Sequence, residues 1–164
     1  DNIIRLYLNK MNSDQIIEVT NYINILRLKH LSPKISYSPD ISIFSTKWAS
    51  NLLDNNKFEH SGNVLYGENL AIRSGSALKN DIVAGIKKSI DEWYNEVQYY
   101  DFSEGKFDPK TGHFTALVWA DTKKFGIAYK YDENKKKYIV VMNMSPAGNV
   151  QSKFRENVLK SPTR

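Results

Sequence analysis

Three stretches of the chain repeat apolar residues at helical spacing, which predicts amphipathic helices. The first runs from Ser13 to about His30, the second from Ser38 to about Asn55, and the third from Asp81 to about Tyr100. The first two begin at serines, which are favoured at helix N-termini, and Pro33 closes the first because proline lacks a backbone donor. These helices are expected to bury one face in a core.

The later part of the chain has the residue types of β-strands. Runs from Phe125 to Tyr131 and from Tyr138 to Ser145 are rich in β-branched and aromatic residues, and Asp132 to Lys135 reads as the hairpin between them. Earlier, residues 57–79 lose periodicity and collect Gly, Ser and Asn, which predicts a loop. We assign 1–12 as a lead-in and 160–164 as a tail. Helices followed by strands indicate an α+β domain.

Length and composition are consistent with one domain over residues 1–164. The chain has 164 residues, of which 41% are hydrophobic. This is enough for one filled core, but the chain is too short for two ordinary domains. No run of about 18 apolar residues is present, so no transmembrane helix is expected. The chain begins at Asp1 rather than Met. We therefore expect either a secreted protein that has lost an N-terminal segment or a peripheral protein of an internal membrane.

Charge is distributed unevenly along the chain. Residues 121–164 contain ten Lys or Arg and four Asp or Glu, a balance of +6, whereas the whole chain is at +5. A basic C-terminal third predicts an anionic partner such as a membrane surface, although Lys135–Lys137 is equally typical of a solvated hairpin tip. No nucleic-acid motif is present, so nucleic acid is not expected. The chain has no Cys, which excludes a disulfide framework.

His113 lies in the segment Thr111–Trp119, at the margin of a strongly apolar frame. A His in such a position needs a hydrogen-bonding partner, and by residue type alone a structural role is the commoner outcome. The segment nevertheless resembles a signature of the CAP superfamily, the cysteine-rich secretory, antigen 5 and pathogenesis-related 1 proteins. Three further stretches carry the same resemblance in the same order: Tyr66–Ala71, Trp93–Glu96 and Pro146–Val150.

The resemblance covers the chain from about Thr20 to Leu159. It is strongest to the Golgi-associated pathogenesis-related branch, through the stretches Phe107–Ala116 and Phe154–Leu159. It implies an α-β-α sandwich, with a central antiparallel sheet between helical layers and a cleft lined by the quoted motifs. The missing cysteines depart from the pattern of the secreted branches and agree better with the Golgi-associated one.

The resemblance also implies a cleft tetrad. His60, Glu68, Glu96 and His113 match the four cleft residues of the family one by one. It implies a zinc site in which His60 and His113 bind the metal and the two glutamates complete or orient the site. The two histidines are far apart in sequence and match no local zinc motif, so spacing alone does not predict a metal. A buried hydrogen-bond network is the alternative, and Ser74 is the candidate nucleophile of a hydrolase.

An aromatic segment follows the third predicted helix. Tyr100, Phe102 and Phe107 resemble in spacing the caveolin-binding-type loop of sterol-binding members of the family. The resemblance implies that these three residues bind lipid. Ordinary packing of the rings over the sheet is the alternative.

These observations lead to one main hypothesis and two alternatives. The main hypothesis is a non-enzymatic domain that binds a lipid, either sterol or fatty acid, together with an anionic phospholipid surface, and whose cleft is able to hold zinc. The first alternative is a metal-dependent hydrolase, protease-like or esterase-like, acting in the tetrad cleft. The second is an interaction protein that docks a peptide or forms a homodimer.

Overall fold

The computed structural model of the chain describes residues 10–162. The first nine residues of the predicted lead-in and the last two of the predicted tail lie outside this range. The described elements run in the order α1 (Ser13–Leu28), β1 (Ser36–Tyr37), α2 (Pro39–Asp54), β2 (Gly67–Ser74), α3 (Ile82–Asn95), α4 (Gly112–Val118), β3 (Lys124–Asp132), β4 (Lys137–Ser145) and α5 (Phe154–Asn157), with a 3₁₀ turn at Glu96–Tyr99 after α3.

The three predicted long helices are present, and each begins with a local cap. Asn12 and Gln15 form a reciprocal capping box at the start of α1. Ser38 accepts from the Ile41 N–H, with Pro39 in the first turn of α2, and Asp81 accepts from the Ala84 N–H at the start of α3. These caps satisfy backbone donors that have no partner inside the helix.

One prediction about the middle of the chain is wrong, and one segment without a predicted element forms a helix. The stretch 57–79, predicted as a loop, contains the eight-residue strand β2, and the unassigned segment around His113 is the helix α4. β2 lacks the alternation of apolar and polar residues that marks a half-exposed strand, because both of its faces meet helices. It pairs with β4 along its whole length. Its stability comes from this long-range pairing rather than from local sequence.

The four strands form one sheet in the order β1-β3-β4-β2. β3 and β4 form the predicted hairpin, and β2 adds antiparallel to the free side of β4. The two-residue strand β1 pairs parallel to the start of β3, so the sheet is mixed rather than wholly antiparallel. β1 covers only the first part of the β3 edge.

Helices cover both faces of this sheet, which confirms the α-β-α sandwich. One face packs against α2, through Ala49, Leu52 and Leu53 of the helix and Leu70, Ala128, Ile139 and Val141 of the sheet. The other face packs against α1, α3 and α4, and the core there includes Ile23, Ile86, Phe114, Tyr129, Val140 and Met142. Neighbouring residues of β4 therefore enter opposite layers, as the two-residue period of a strand requires.

A buried arginine joins the helical layer to the loops beside it. The Arg27 guanidinium is fully buried and donates to the main-chain oxygens of Pro33, Leu117, Trp119 and Thr122, at 2.8 to 3.1 Å. Burial lowers the pKa of Arg27 to about 10, so the side chain is still protonated at neutral pH. One cation thereby bonds to carbonyls at the C-terminal end of α4 and in the loops beside it.

His30 is buried and links three parts of the chain. Its Nδ1 lies 2.7 Å from the Leu159 carbonyl oxygen and its Nε2 lies 2.9 Å from the Tyr94 hydroxyl, while its ring stacks on Phe102. His30 therefore holds the C-terminal segment and the aromatic segment against α3. No helix within residues 10–162 is both long and apolar enough to cross a membrane.

Candidate functional site

Glu96 and His113 form the first half of the candidate site. Glu96 follows the last residue of α3, and its Oε1 accepts from the main-chain N–H groups of His113 and Phe114 at 2.9 and 3.0 Å. Its Oε2 lies 2.8 Å from Nδ1 of the His113 ring. Since Thr111 gives α4 no side-chain cap, Glu96 supplies that cap from another helix and orients the His113 imidazole at the same time.

His60 and Glu68 form the second half. Nδ1 of His60 lies 2.9 Å from Oε1 of Glu68, which is the second residue of β2. The Glu68 side chain is 5% exposed, whereas the His60 side chain is 64% exposed. The carboxylate is therefore a buried anchor, and the imidazole that it holds faces solvent.

Glu68 is held by more donors than His60 alone. Ser61 donates from its main-chain N–H and from its hydroxyl, at 2.8 and 2.7 Å, and Asn143 of β4 donates from its side chain at 3.0 Å. Burial raises the pKa of Glu68, but the hydrogen bonds from Ser61, His60 and Asn143 outweigh it and hold the pKa below its ordinary value. Glu68 is therefore ionised at neutral pH although it is buried.

The two pairs lie at the same end of the sheet. Asn69, the residue after Glu68, donates from its side chain to the main-chain oxygen of His113 at 3.0 Å. The Trp93 ring stacks on the His113 ring, with 6.3 Å between centroids, and it is fixed by a bond from Nε1 to the Leu70 oxygen. A cavity of about 270 Å³ lies beside the Trp93 and His113 rings. It is lined by these two residues and by Phe58 and Glu96, among others.

The two pairs share a hydrogen-bonding pattern that bears on zinc binding. In both pairs a carboxylate engages Nδ1, which leaves Nε2 as the ring nitrogen available to a metal, and this is the usual arrangement of a zinc-binding histidine. No group of three or more His, Asp or Glu side chains arranged to hold a metal occurs within residues 10–162. Within residues 10–162 the four residues are therefore two His–Glu pairs, each with one ring nitrogen available, and not an assembled zinc site.

The exposure of the three predicted lipid-binding side chains to solvent increases along the aromatic segment. Tyr100 is buried, and its ring lies edge-on to Phe102 at 4.8 Å and beside Phe114 at 5.7 Å. Phe102 is half-buried. Phe107 is 43% exposed and packs beside Phe154. Of the three predicted lipid-binding residues, the first two lie on the core and the third reaches solvent.

Ser74 lies far from the tetrad, whereas the basic residues of the C-terminal third lie partly at the same end of the sheet as Glu68. Ser74 is the last residue of β2, six residues from Glu68, which separates the two by about 20 Å along the strand. The hydrolase hypothesis with Ser74 as nucleophile is therefore wrong. The basic residues of the C-terminal third are divided between two ends of the sheet, with Lys123 and Lys124 at the start of β3 and Lys135–Lys137 at the hairpin.

Sequence reasoning did not identify the residues that hold Glu68. Ser61 and Asn63 belong to an irregular segment with no recognisable pattern. Asn143 did carry a signal, since an amide within an otherwise apolar strand must be bonded when it is buried. It accepts from Ser45 at 2.8 Å and donates to Glu68, so it joins α2 to the candidate site.

The fold and the tetrad together define the class of protein. The model of the family described as "CAP: Cysteine-rich secretory protein family" matches residues 20–144, and the chain belongs to this family. The human Golgi-associated plant pathogenesis-related protein 1 is 33% identical over 147 residues, covering 87% of this chain and 90% of that protein. Against other curated relatives, from yeasts and mouse, the chain spans between 35% and 55% of their length.

Solved structures agree with the fold. The structure described as "Structure of BmVAL-1" has a TM-score of 0.77 at 16% identity, and the match covers 94% of this chain and 86% of that one. The structure described as "Crystal structure of NaASP2 with Zn2+" has a TM-score of 0.69 at 21% identity and covers 92% of this chain and 87% of that one. These likenesses establish the sandwich architecture.

Proposed function

We propose that this chain is a non-enzymatic binding domain whose tetrad cleft holds a zinc ion. The observation that carries the proposal is that each cleft imidazole uses Nδ1 on a carboxylate and keeps Nε2 available. Two nitrogen ligands with open positions suit a reversibly held ion. The solved relative described with Zn2+ supports zinc as the metal.

In this proposal His60 and His113 bind the ion, and Glu68 and Glu96 orient the rings. Zinc would supply a Lewis-acidic positive charge at the cleft. The two carboxylates keep Nδ1 as the donor, which directs the lone pair of each ring to Nε2. Ser74 is too distant to act as a nucleophile in this cleft, and no observation favours hydrolysis over simple binding.

Calorimetry with metal-free protein tests the zinc proposal. Wild-type protein should bind one zinc ion at neutral pH, and lowering the pH from about 7.5 to about 5 should release it because a protonated imidazole has no lone pair. His113→Ala should abolish binding. Glu59→Gln, which removes a nearby exposed carboxylate outside the tetrad, is the matched control and should bind zinc normally. Absence of binding by wild type would leave the tetrad as a structural network.

Lipid capture is the second function that we propose, and the exposure of Phe107 favours it. Phe107 is exposed beside the buried ring of Phe154, so it offers apolar contact area without disturbing the core. In this proposal Phe107 and Phe102 contact a sterol or a fatty acid, and Tyr100 supports them from below. The lipid then lies on the same side of the molecule as Gly112, which the Phe107 ring approaches closely.

Capture of radiolabelled cholesterol and of palmitate by purified protein tests this second function. Phe107→Ala should weaken the capture of whichever lipid the protein binds, cholesterol or palmitate, about tenfold. The reason is that full burial of a Phe is worth roughly 1.5 to 3 kcal/mol. Tyr99→Ala is the matched control, because Tyr99 is 67% exposed and lies outside the predicted trio. Unchanged capture by Phe107→Ala would remove the aromatic segment as the lipid site.

We also propose that the hairpin end contacts anionic membrane. Lys136 is exposed at the tip, while Lys135 donates to the Leu53 oxygen and Lys137 donates to Asn56. Each surface cation contributes only about 1 kcal/mol near anionic lipid, so binding to phosphatidylserine vesicles should be weak and should fall as salt rises. Equal binding to neutral phosphatidylcholine vesicles would exclude this electrostatic mechanism.

A further inference from the structure

A second and larger cavity lies away from the tetrad. It has a volume of about 700 Å³ and lies between α2 and the outer edge of β3. Its lining follows α2 from Pro39 to Asn55, which corresponds to a groove about 24 Å long at 1.5 Å per residue. The floor is largely apolar and includes Met11, Ala49, Ile127 and Ala128. The zinc and lipid proposals make no use of this groove.

The groove follows a strand edge that β1 leaves uncovered. β1 pairs only with Lys124 and Phe125, and within residues 10–162 no other strand lies on that side of β3. β1 cannot extend further because Ser38 and Pro39 already begin α2. The part of the β3 edge from Ile127 to Lys130 therefore faces the groove.

The direction of the main-chain groups at this edge follows from two hydrogen bonds. The oxygens of Lys123 and Phe125 accept from the N–H groups of Ser36 and Ser38 at 3.0 and 2.7 Å. Since main-chain groups alternate sides along a strand, Ile127 and Tyr129 point the same way. The Ile127 N–H is already satisfied by the Ser42 hydroxyl at 3.0 Å. The Ile127 oxygen and the main-chain groups of Tyr129 are the ones presented to the groove.

From this arrangement we infer that the groove is a binding site for an extended acidic peptide of a partner protein, which adds as a strand to the edge of β3. A lipid chain would cover the main-chain groups of Tyr129 without bonding to them, whereas a peptide strand satisfies them. At about 3.3 Å per residue, the groove accommodates roughly seven extended residues.

The charges around the groove decide the chemistry of the peptide. Its lining contains three lysines, Lys10, Lys47 and Lys130, against one acid, Asp54. Lys130 is positioned by a bond from its amine to the Ser50 hydroxyl at 2.7 Å. A strand with apolar residues toward the floor and acidic residues toward these amines is complementary to both features.

The test uses a fluorescein-labelled peptide of sequence Glu-Val-Glu-Val-Glu-Val-Glu and full-length protein, with binding followed by fluorescence anisotropy. The same peptide with its edge-facing amides N-methylated should bind at least about tenfold more weakly, because strand pairing supplies the affinity. A peptide with Lys in place of Glu should also bind more weakly. Amide shifts in the NMR spectrum should centre on Ile127 and Tyr129.

A pair of matched variants locates the site. Ile43 lies in the groove and is 54% exposed, and Ile17 lies on α1 and is 57% exposed. Ile43→Glu should weaken binding about tenfold by placing a like charge in the groove, while Ile17→Glu should have no effect. Both positions are exposed, so both variants should fold.

Four results would overturn the inference. The first is equal affinity for the N-methylated peptide, and the second is equal loss of binding in the two variants. The third is binding that occurs only in a variant beginning at Lys10, which would assign the groove to the chain's own N-terminal residues. The fourth is a dimer in sedimentation experiments that Ile43→Glu dissociates, which would assign it to a second copy of the chain.

Discussion

Replacing Glu96 separates two effects that its carboxylate combines. Oε1 caps α4 through two main-chain N–H groups, and Oε2 holds Nδ1 of His113. In Glu96→Gln the single oxygen should stay on the two N–H groups, because turning it away would leave both unpaired. The amide nitrogen then faces Nδ1 and donates to it. The neutral ring must therefore carry its proton on Nε2.

The expected magnitudes differ between the two substitutions. Glu96→Gln keeps the cap and exchanges one hydrogen bond for another, so the free energy of unfolding should fall by about 1 kcal/mol. Glu96→Ala removes the cap, worth about 1 to 2 kcal/mol, and the partner of His113, so the loss should be about 2 to 4 kcal/mol. For a chain of this size these losses correspond to roughly 3 °C and roughly 6 to 12 °C in Tm.

Zinc binding should respond differently from stability. Both variants should lose zinc affinity by about tenfold or more, since the Gln variant has its proton on the metal-binding nitrogen and the Ala variant has no group that orients the ring. The measurements are urea unfolding, zinc calorimetry and the ¹⁵N shifts of the His113 ring. Wild-type zinc affinity in Glu96→Gln, or an Ala variant as stable as wild type, would refute this account of Glu96.

Three further predictions concern the packing around the site. Arg27→Met should cost about 3 to 5 kcal/mol in urea unfolding, because four main-chain oxygens lose a donor and, within residues 10–162, the Trp119 oxygen alone among them keeps a second one, the Thr122 N–H; a loss below 1 kcal/mol would contradict this. Gly126→Ala should lower Tm by several degrees, since an added Cβ would overlap the main chain of Ile41 and Ser42, and an unchanged Tm would show that α2 can shift without cost. Burial lowers the pKa of His30. The stability that the neutral His30 ring contributes is therefore complete above about pH 6.5 and declines as the pH falls below that value. His30→Gln should flatten this acid dependence in unfolding curves recorded at several pH values.

The two glutamates of the tetrad are not equivalent. Glu68 is nearly buried and accepts from Ser61 and Asn143 as well as from His60, whereas the Glu96 side chain is 20% exposed and accepts from one ring and two main-chain groups. An amide at position 68 would place a donor against the donors of Ser61 and Asn143. Glu68 is therefore bound more tightly to the fold, and Glu96 is the better position at which to change the cleft alone.

The sequence by itself determined the features that depend on neighbouring residues. The cap at Ser38 and the hairpin between β3 and β4 involve groups a few positions apart, so local pattern was sufficient to predict them. The family motifs also singled out His60, Glu68, Glu96 and His113, which form two His–Glu pairs in the structure.

Tertiary structure decided the features that depend on distant contacts. β2 is a strand because β4 pairs with it, and α4 begins where Glu96, seventeen residues away, caps it. Asn143 and Ser61 hold Glu68 from a distant strand and from an irregular segment, which no periodicity reveals. The open edge of β3 exists because β1 stops after two residues. Each of these depends on the free energy of contacts between segments that are far apart in the chain, and local pattern does not carry that information.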